Sequence, residues 1–528
     1  MIAAFLLSMI KDLFLRLLDY YNISEEQFAY INREIKISTF SDDHRFDKMD
    51  EAVQLVKNHV SKKSKIIVYG DYDADGICST SIITKMFLYQ DYIVDYFIPS
   101  RYLDGYGINL EQAQNIINKK YDLVICVDNG VSAFEPIQLL RDNGIDVLVL
   151  DHHEIQDKLP NANVILHPTF SNYGKVASSA GFVTFIFSIF YLGRFDKYLS
   201  VLASISIISD MMPLVDYNRD LLRYVFYHYK VGEFLPIDLL NGNEQLTEES
   251  IGLGIAPKIN AIGRVIEERK GYEIVDFLTS TNKEHLLNYI LYINEINEKR
   301  KELSKSFSDN IKETNPICIC EVTDAKEGII GLVANKLMNQ YMVPCIAFAK
   351  DEEKGIYKGS ARSPEGFNIV DCFNALSHHL EAFGGHAQAG GCSIKISEFD
   401  KFKHDFINYC EKHPFVAPEK PTIELFLNEL TFENYDLIKK FAPFGEGWRA
   451  PLFIIKNIRT AALTYSRDQK HILTNISLNS KLAGFYMHKS LIDPLNRIDI
   501  IGTLKTSNYK GKISLDFNIN EYFKSKNN

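Results

Sequence analysis

Several features that would assign this chain to a common functional class are missing from its sequence. The eight cysteines include no Cys-x-x-Cys pair, so we expect neither a structural zinc site nor a disulfide framework, and a reduced, cytoplasmic setting fits best. Beyond the N-terminus, no apolar run reaches the ~18–20 residues that a membrane-spanning helix needs. The formal charge of −10 argues against a generally basic nucleic-acid coat, although it permits a local basic groove or metal-mediated binding of phosphate.

The apolar N-terminus, MIAAFLLSMIKDLFLRLL, differs from a secretory signal. A signal has a basic region followed by an uninterrupted apolar segment. Here the basic region is missing, and Lys11, Asp12 and Arg16 interrupt the apolar run. We therefore predict an amphipathic helix that packs on its own protein, and we expect no membrane partner.

The length and composition are those of a multidomain globular protein. At ~100–200 residues for each domain, a chain of this size predicts about three or four domains. Apolar residues make up 46% of the 528 residues and charged residues 24%, which is ordinary for a folded protein.

The order of predicted elements divides the chain into five parts. Residues 1–60 read as a helical segment. Over residues 61–225, short apolar strands alternate with helices, which is typical of a mostly parallel α/β sheet. A helical connector follows over 226–315, with a long helix predicted from Lys283 to Lys312, and a second α/β unit covers 316–412. Residues 420–528 contain five short strands without intervening helices, the pattern of a small β-barrel. The strands predicted for the first sheet are Ile66–Tyr69, Tyr92–Ile98, Leu123–Val127, Val147–Leu150 and Val164–His167.

The densest cluster of acidic side chains lies in Lys65 to Ser79, KIIVYGDYDADGICS. Asp71, Asp73 and Asp75 follow an apolar strand directly, and a helix is predicted from Thr80. In open parallel sheets, ligands bind at the carboxyl ends of the strands. Hard divalent cations prefer oxygen ligands and would relieve the repulsion among these carboxylates. The alternative is a solvated turn, since Asp and Gly are common turn residues.

Two further strands end in the same way. Asp128 follows the strand in YDLVICVDNG, and Asp151, His152 and His153 follow the strand in DVLVLDHHE. Carboxylate oxygens together with an imidazole nitrogen suit Mn²⁺ or Mg²⁺, and Mn²⁺ tolerates the nitrogen better. Three successive acidic strand ends therefore favour a metal site over a solvated turn.

These segments belong to an ordered set of motifs. GDYDADG, VDNG, DHH and Asp210 in SIISDMMPL resemble the DHH phosphoesterase superfamily. RYLDGYGI, APKINAIGR, GSARS, FGGHAQAGG and APFGEG occur in the same order as in bacterial exonucleases of that superfamily that are specific for single-stranded DNA. The resemblance covers nearly the whole chain. It implies an α/β fold with a parallel-sheet DHH catalytic domain, a long connecting helix, a DHH-associated nucleotide-binding domain and a C-terminal OB-fold barrel.

The resemblance implies two divalent metal ions, Mn²⁺ or Mg²⁺, with Asp128 in the bridging position. Many relatives carry a histidine where this chain has Tyr69, and we assign the part of that histidine to Asp71. The implied metal ligands are Asp71, Asp73, Asp75, Asp128, His152 and Asp210.

The resemblance also implies how nucleic acid is held. Arg264, Ser360 and Arg362 would hold the 5′ phosphate, while Arg101 and Tyr106 would contact the leading nucleotides. Read locally, APKINAIGR predicts a turn, and FGGHAQAGG predicts a glycine-rich turn that lets backbone N–H groups approach phosphate. The implied substrate-binding set is Arg101, Tyr106, Asn260, Arg264, Ser360, Arg362, Gly385 and His386.

The predicted barrel offers candidates for contact with a single strand. OB-folds bind single strands through aromatic side chains and a positive groove. Each aromatic could equally be a core residue, and that alternative stays open. The candidates are Trp448, Phe485, Tyr486, Lys505 and Lys510.

The implied function is a two-metal 5′-to-3′ exonuclease that degrades single-stranded DNA to 5′-mononucleotides in repair and recombination. Asp128, His152 and His153 are the candidate catalytic residues. We expect His153 to hydrogen-bond a phosphate oxygen, or else only to orient a neighbouring metal ligand. Single-stranded DNA is the implied partner, a helicase and a single-strand-binding protein are candidate protein partners, and a monomer is the default expectation.

Two other functions remain open at the level of sequence. One is a DHH phosphodiesterase of short oligonucleotides or cyclic dinucleotides, which the predicted C-terminal barrel argues against. The other is a non-catalytic nucleic-acid-binding relative, which the intact acidic motifs argue against.

Overall fold

The chain forms two compact units, one built from both ends of the sequence and one from its middle. The first joins Met1–Ile35 to Glu419–Asn528, and the second is Lys36–Pro418. The five-part division made from the sequence stays a prediction. This computed structural model describes residues 13–41, 46–171, 176–310, 317–352, 354–416, 419–485, 487, 489, 492, 496–509 and 512–525.

The described N-terminal residues form two helices, α1 (residues 13–21) and α2 (Glu25–Ile31). Ser24 caps α2, because its hydroxyl accepts from the Gln27 backbone N–H while the Gln27 side chain accepts from the Ser24 backbone N–H, which is a capping box. Leu13, Leu17 and Leu18 are buried in the same apolar core as the C-terminal strands. For the described residues, the N-terminal segment thus packs on its own protein, as the sequence predicts.

The first sheet of the middle unit is fully parallel, with strand order β2-β1-β3-β4-β5. Its central strands are buried along their whole length, which explains their β-branched, apolar sequences. The strands are β1 (Ile66–Tyr69), β2 (Asp95–Phe97), β3 (Leu123–Val127), β4 (Asp146–Leu150) and β5 (Val164–Leu166).

Helices pack on this sheet and continue into a helical region. Helix α4 packs against α7 and α8, and all three are buried on nearly every side. The helices are α3 (Met49–Ser61), α4 (Ala74–Leu88), α5 (Leu110–Asn118), α6 (Phe134–Asp142), α7 (Ala180–Leu192), α8 (Lys197–Ser209), α9 (Asp216–His228), α10 (Leu235–Leu240), α11 (Glu248–Ser250), a π-helical turn (Ile251–Ile255), α12 (Ala256–Val265), α13 (Gly271–Thr279) and α14 (Lys283–Asn310).

Two predictions for these helices need correction. Helix α4 begins at Ala74 rather than at Thr80, because Asp73 caps it. The segment APKINAIGR is helix α12 and not a turn. Its proline lies near the start of α12, directly after the π-helical turn Ile251–Ile255, and Ile259 and Ile262 bury one face. Helix α14 confirms the predicted long helix.

The second sheet has the order β6-β7-β8-β10-β9. Strands β6 and β7 are parallel, and the other pairs are antiparallel. The predicted glycine-rich turn FGGHAQAGG is instead the hairpin formed by β9 and β10, since its glycines pair across the two strands. The elements are β6 (Ile319–Thr323), α15 (Glu327–Tyr341), β7 (Cys345–Asp351), β8 (Ile356–Arg362), α16 (Ile369–Ala375), β9 (Leu380–His386), β10 (Ala389–Lys395) and α17 (Phe399–Lys412).

The C-terminal part folds into a six-stranded sheet with the order β11-β12-β15-β16-β14-β13. All five predicted strands are present, and the short strand β11 precedes them. No helix in the described part of the chain is long and apolar enough to span a membrane. Short 3₁₀ turns lie at Ile37–Phe40, Pro168–Phe170, Ser377–His379, Ile396–Glu398, Leu427–Glu429 and Thr460–Ala462. The C-terminal elements are β11 (Ile423–Glu424), α18 (Phe432–Lys439), β12 (Phe453–Arg459), β13 (Ile472–Asn475), β14 (Ser480–Gly484), β15 (Arg497–Tyr509) and β16 (Lys512–Lys524).

Candidate metal and phosphate site

Three neighbouring strands of the first sheet deliver polar side chains to one edge. Asp71 follows β1, Asp128 follows β3 and His152 follows β4. These strands are adjacent and parallel, so their carboxyl ends meet. The fold therefore brings together residues that the sequence places at separate strand ends.

The turn after β1 packs closely against the first residues of α4. Asp73 Oδ1 accepts hydrogen bonds from the backbone N–H groups of Asp75 (3.0 Å) and Gly76 (3.1 Å). A Cβ atom on Gly76 would lie 2.6 Å from backbone atoms of Asp71. Only glycine permits this close approach, and it packs the acidic residues into one turn.

Hydrogen bonds from helices α7 and α8 hold the Asp75 carboxylate. It accepts from the N–H groups of Ala180 (2.9 Å) and Gly181 (2.8 Å) in the first turn of α7. The hydroxyl of Ser206 on α8 donates to it at 2.6 Å. Helix N-termini stabilise negative charge, so Asp75 is fixed in place.

The imidazole of His152 lies at the centre of the acidic cluster. Its Nε2 is 3.3 Å from Asp128 Oδ1, 3.5 Å from Asp210 Oδ2 and 3.6 Å from Asp75 Oδ2. Within the acidic cluster, three groups of possible metal ligands each have their donor atoms within 4.8 Å of one another: Asp75, His152 and Asp210; Asp71, Asp73 and Asp128; and Asp128, His152 and His153. The six predicted ligands therefore form one cluster with two adjacent subsites.

The cluster concentrates negative charge away from water. Burial, reinforced by repulsion from neighbouring aspartates, raises the pKa of Asp71 and of Asp128 well above the ordinary value. Burial and the charges of Asp75 and Asp73 likewise raise the pKa of Asp210 to about 8. Such shifts follow from desolvation and like charges.

The donor set fits divalent cations. Asp71 Oδ1 and Asp128 Oδ1 are buried and have no hydrogen-bond partner within the described residues, whereas buried polar atoms are normally paired. Oxygen-rich ligands with one imidazole nitrogen suit Mn²⁺ or Mg²⁺.

The backbone at Asp128 is in the left-handed region, with φ of 62°. This conformation is uncommon for a residue other than glycine. The side-chain amide of the next residue, Asn129, helps to hold this conformation, because its Nδ2 donates to the carbonyls of Tyr69, Gly70 and Val127. The surrounding structure thus fixes the direction of the Asp128 side chain.

Asp151 orients His153, a role that the sequence analysis missed. Asp151 Oδ1 lies 2.8 Å from His153 Nδ1. Its carboxylate also accepts from the backbone N–H groups of Val131 and His152. Burial alone would raise the pKa of Asp151, but these hydrogen bonds and the charge of His153 lower it to about 2. The signal was available, because Asp151 follows β4 directly, before His152 and His153.

His153 is partly exposed beside the cluster. Burial disfavours its charged form, but the hydrogen bond to Asp151 and the nearby carboxylates outweigh that effect and raise its pKa to about 9. The Tyr106 hydroxyl lies 3.0 Å from His153 Nδ1 and donates to the Asp128 carbonyl at 3.1 Å. Tyr106 therefore lies beside the acidic cluster, while its expected contact with the leading nucleotides stays a prediction.

Arginines lie close to the acidic cluster. The Arg101 guanidinium stacks 4.3 Å from the centre of the Tyr72 ring. Burial and the positive charge of Arg101, with further contributions from Arg300 and Arg362, lower the pKa of Arg264 to about 10. Arg300, on α14, was not predicted, since nothing in its local sequence distinguishes it.

Ser360 and Arg362 lie together on β8. Arg362 Nη1 is 3.3 Å from Ser360 Oγ, and both side chains lie against Gly331 of α15. Arg264 reaches the same helix, where its Nη1 is 3.4 Å from the Gly328 carbonyl. The structure thus brings together the three residues expected to bind the 5′ phosphate.

Three other predicted substrate-binding residues have different surroundings. Asn260 Oδ1 accepts from the Ala74 N–H at 2.9 Å, so this side chain braces the start of α4. Gly385 and His386 end the exposed strand β9. Within the described residues, no hydrogen bond or ion pair joins these two to the acidic cluster.

The candidate single-strand-binding residues of the C-terminal part differ in their exposure. Trp448 stacks on Tyr21 with ring centres 4.5 Å apart and donates to the Phe441 carbonyl, which gives it a packing role. Phe485 is 60% exposed, and Lys505 is exposed. Tyr486 and Lys510 lie outside the described residues.

Comparisons with known proteins agree with this architecture. Three family profiles match in order: DHH family, N-terminal domain, at residues 65–207; DHHA1 domain at 314–412; and RecJ OB domain at 422–521. The single-stranded-DNA-specific exonuclease RecJ of Haemophilus influenzae is 31% identical over 453 residues, covering 77% of each chain. The RecJ of Bacillus subtilis is 28% identical over 502 residues; the match covers 90% of this chain and 63% of that protein.

Solved structures show the same fold. The crystal structure of Thermus thermophilus RecJ in complex with Mn²⁺ matches with a TM-score of 0.81 and 21% identity, covering 97% of this chain and 78% of that one. The fold class predicted from the sequence, including the C-terminal OB domain, is confirmed.

Proposed function

The chain belongs to the RecJ family, and from that membership we propose that it is a metal-dependent exonuclease of single-stranded DNA. It hydrolyses phosphodiester bonds from the 5′ end and releases 5′-mononucleotides in DNA repair and recombination. The observation that carries this proposal is the joint placement of a buried acidic cluster and a group of arginines in one unit.

The cluster offers two adjacent sets of ligands. Asp71, Asp73 and Asp128 would hold one ion, and Asp75, His152 and Asp210 would hold the other. Two bound divalent ions lower the pKa of an attacking water and offset the negative charge of the reacting phosphate. The protein's part is to fix the ligands, which the α7 N-terminus does for Asp75.

His153 is the residue best placed to contact the phosphate directly. Asp151 engages its Nδ1, and its Nε2 lies 3.3 Å from the Tyr106 hydroxyl. The side chain is 41% exposed, so a substrate oxygen can reach it. An N–H donor aimed at a phosphate oxygen stabilises the charge that develops during displacement.

The arginines would bind the 5′ end of the substrate and set the direction of digestion. Arg264 and Arg362 would grip the 5′ phosphate with Ser360, because guanidinium groups bind phosphate bidentately. Arg101 and Tyr106, on the loop beside Asp128, would contact the leading nucleotides. A terminal phosphate fixed in this way sets the first phosphodiester over the metal ligands and gives 5′-to-3′ polarity. We infer that Asn260 braces the start of α4, where its Oδ1 accepts from the Ala74 N–H; its expected contact with the substrate stays a prediction.

The remaining parts of the proposal concern setting and assembly. All eight cysteines are free and buried, which supports a reduced, cytoplasmic location. A helicase that unwinds duplex DNA and a single-strand-binding protein would supply the substrate. We propose a monomer, and measurement of the solution mass tests that proposal.

The test uses one single-stranded DNA labelled at either end, with Mn²⁺ or with EDTA. We expect immediate release of a labelled mononucleotide from the 5′-labelled strand only. EDTA and Asp128→Ala should abolish this release. Asp146→Asn, a change at the amino end of β4, is the matched control and should retain activity.

Two outcomes would redirect the assignment. Cleavage of short oligonucleotides or cyclic dinucleotides without digestion of long strands would indicate a phosphodiesterase of small substrates. Binding of single strands without hydrolysis of either substrate would indicate a non-catalytic relative. The C-terminal six-stranded sheet and the complete ligand set favour the exonuclease over both.

A further inference from the structure

The loop between β2 and α5, residues 98–109, carries Arg101 and Tyr106 and has almost no regular structure of its own. We call it the Tyr106 loop. Two of its residues, Gly105 and Gly107, have positive φ angles of 78° and 70°. Such a segment needs external contacts to hold one conformation.

The tip of the Tyr106 loop touches the acidic cluster. The Tyr106 hydroxyl donates to the carbonyl of Asp128, and its ring centre lies 5.2 Å from that of His153. A shift of the loop would therefore move Tyr106 away from both groups. The position of the loop matters for any substrate that passes Tyr106 on its way to the metal ligands.

Asp104, whose side chain is only 2% exposed, holds the middle of the loop. Its carboxylate accepts from the Ser100 N–H at 2.8 Å and from Gln112 Nε2 at 3.1 Å. Arg269 also donates two hydrogen bonds to this carboxylate, from Nε to Oδ2 and from Nη2 to Oδ1, each at 2.8 Å. Paired N–H donors on a carboxylate give the most directional ion pair that proteins form.

Arg269 lies in the short connection after α12, which begins beside Arg264. Two further contacts dock the loop. Ser100 Oγ donates to the Glu267 carbonyl of the same connection at 2.5 Å, and the Tyr102 hydroxyl donates to the Arg264 carbonyl at the end of α12 at 2.6 Å. The segment that presents Arg264 and the loop that presents Arg101 and Tyr106 are thus fastened to each other.

We propose that the Asp104–Arg269 ion pair is a latch that sets the Tyr106 loop at the correct distance from Arg264, which makes Arg269 a positioning residue for the leading nucleotides. This inference rests on the proposed exonuclease function. Both donors of Arg269 that face the loop are engaged by Asp104, so Arg269 acts through the loop.

The test compares Arg269→Gln with Arg269→Lys and with Arg141→Gln. Arg141→Gln is the matched control, because it removes another Arg–Asp pair, that of Arg141 Nη1 with Asp146 Oδ1 at 2.5 Å, at the amino end of β4. Two substrates are used with Mn²⁺: a 5′-phosphorylated single-stranded oligonucleotide and bis(p-nitrophenyl) phosphate. The small diester needs the metal site but not the loop.

We expect Arg269→Gln to raise KM for the oligonucleotide about tenfold, which corresponds to a loss of about 1.4 kcal/mol, while hydrolysis of the small diester stays within about twofold. Arg269→Lys should recover part of the loss, since it restores the charge but not the paired hydrogen bonds. Arg141→Gln should leave both substrates unchanged. Hydrogen exchange of residues 98–109 should accelerate in Arg269→Gln and not in Arg141→Gln.

Unchanged KM together with unchanged exchange in Arg269→Gln would overturn the latch. An equal loss on both substrates would also overturn it, because Arg269 would then support the whole site. Failure of the proposed function has a different signature, namely a wild-type protein that does not digest the oligonucleotide. In that case the exchange of residues 98–109 still decides whether the latch exists.

Discussion

His152 Nε2 lies 3.3 Å from Asp128 Oδ1, and these two atoms join the two halves of the acidic cluster. Asp128 belongs with Asp71 and Asp73, and His152 belongs with Asp75 and Asp210. The two groups of possible ligands therefore meet at Asp128 and His152, and we expect a change at Asp128 to affect both groups. The bridging position expected for Asp128 stays a prediction.

Asp128→Asn should separate stability from activity. The wild-type carboxylate is buried among like charges, so its removal should stabilise the metal-free protein by about 1–3 kcal/mol. Thermal unfolding in EDTA should show a higher Tm for the variant than for the wild type. With Mn²⁺ the order should reverse, because the variant loses a ligand, and nuclease activity should fall at least about a thousandfold. A lower Tm of the variant in EDTA would contradict the repulsion inferred here.

Asp210→Asn should reveal the two subsites as separate binding events. Titration calorimetry with Mn²⁺ should give two equivalents for the wild type. The variant should keep one of them and bind the other at least about tenfold more weakly, because Asp71, Asp73 and Asp128 are untouched. Asp216→Asn, a change at the start of α9, serves as the control and should bind like the wild type. Loss of both equivalents in Asp210→Asn would show that the subsites fill together.

Asp146 supplies a test of acid stability away from the cluster. Burial opposes its ionised form, but hydrogen bonds from His59, Asn163 and Arg141 hold its pKa below the ordinary value. A carboxyl whose folded pKa is lowered stabilises the protein above its unfolded pKa of about 4, and that contribution is lost as the pH falls through the folded pKa. The Tm difference between wild type and Asp146→Asn should therefore be largest near pH 6 and shrink below about pH 4. A difference that stays constant down to about pH 3 would show that Asp146 acts through packing alone.

The sequence predicted the sheet and its acidic edge well, because both depend on local patterns. Ile66–Tyr69 and Leu123–Val127 have in the structure the bounds that were predicted, since each is an apolar run that ends at polar residues. The start of α4 was missed, because Gly76 favours a turn when it is read alone. Its helical conformation depends on the Asp73 cap and on close packing against Asp71.

Other features could not be seen in one sequence, because they join distant segments. Asp104 and Arg269 are 165 residues apart, and no local pattern links them. The contact of Asn260 with Ala74 spans 186 residues. The roles assigned to the individual site residues stay predictions.

Asn260→Ala distinguishes bracing from substrate binding. If Asn260 only holds the start of α4, the variant should lose about 1 kcal/mol of stability, the usual worth of one hydrogen bond. It should also bind Mn²⁺ more weakly, because Asp73 and Asp75 lie in the turn that it braces. Its preference for a 5′-phosphorylated strand over a 5′-hydroxyl strand should stay as in the wild type, whereas Ser360→Ala and Arg362→Ala should reduce that preference without weakening Mn²⁺ binding. The measurement is the ratio of kcat/KM for the two strands in each variant, alongside Mn²⁺ titration. A lost preference with unchanged metal binding in Asn260→Ala would return this residue to the substrate-binding set, because bracing acts on α4 and not on the terminal phosphate.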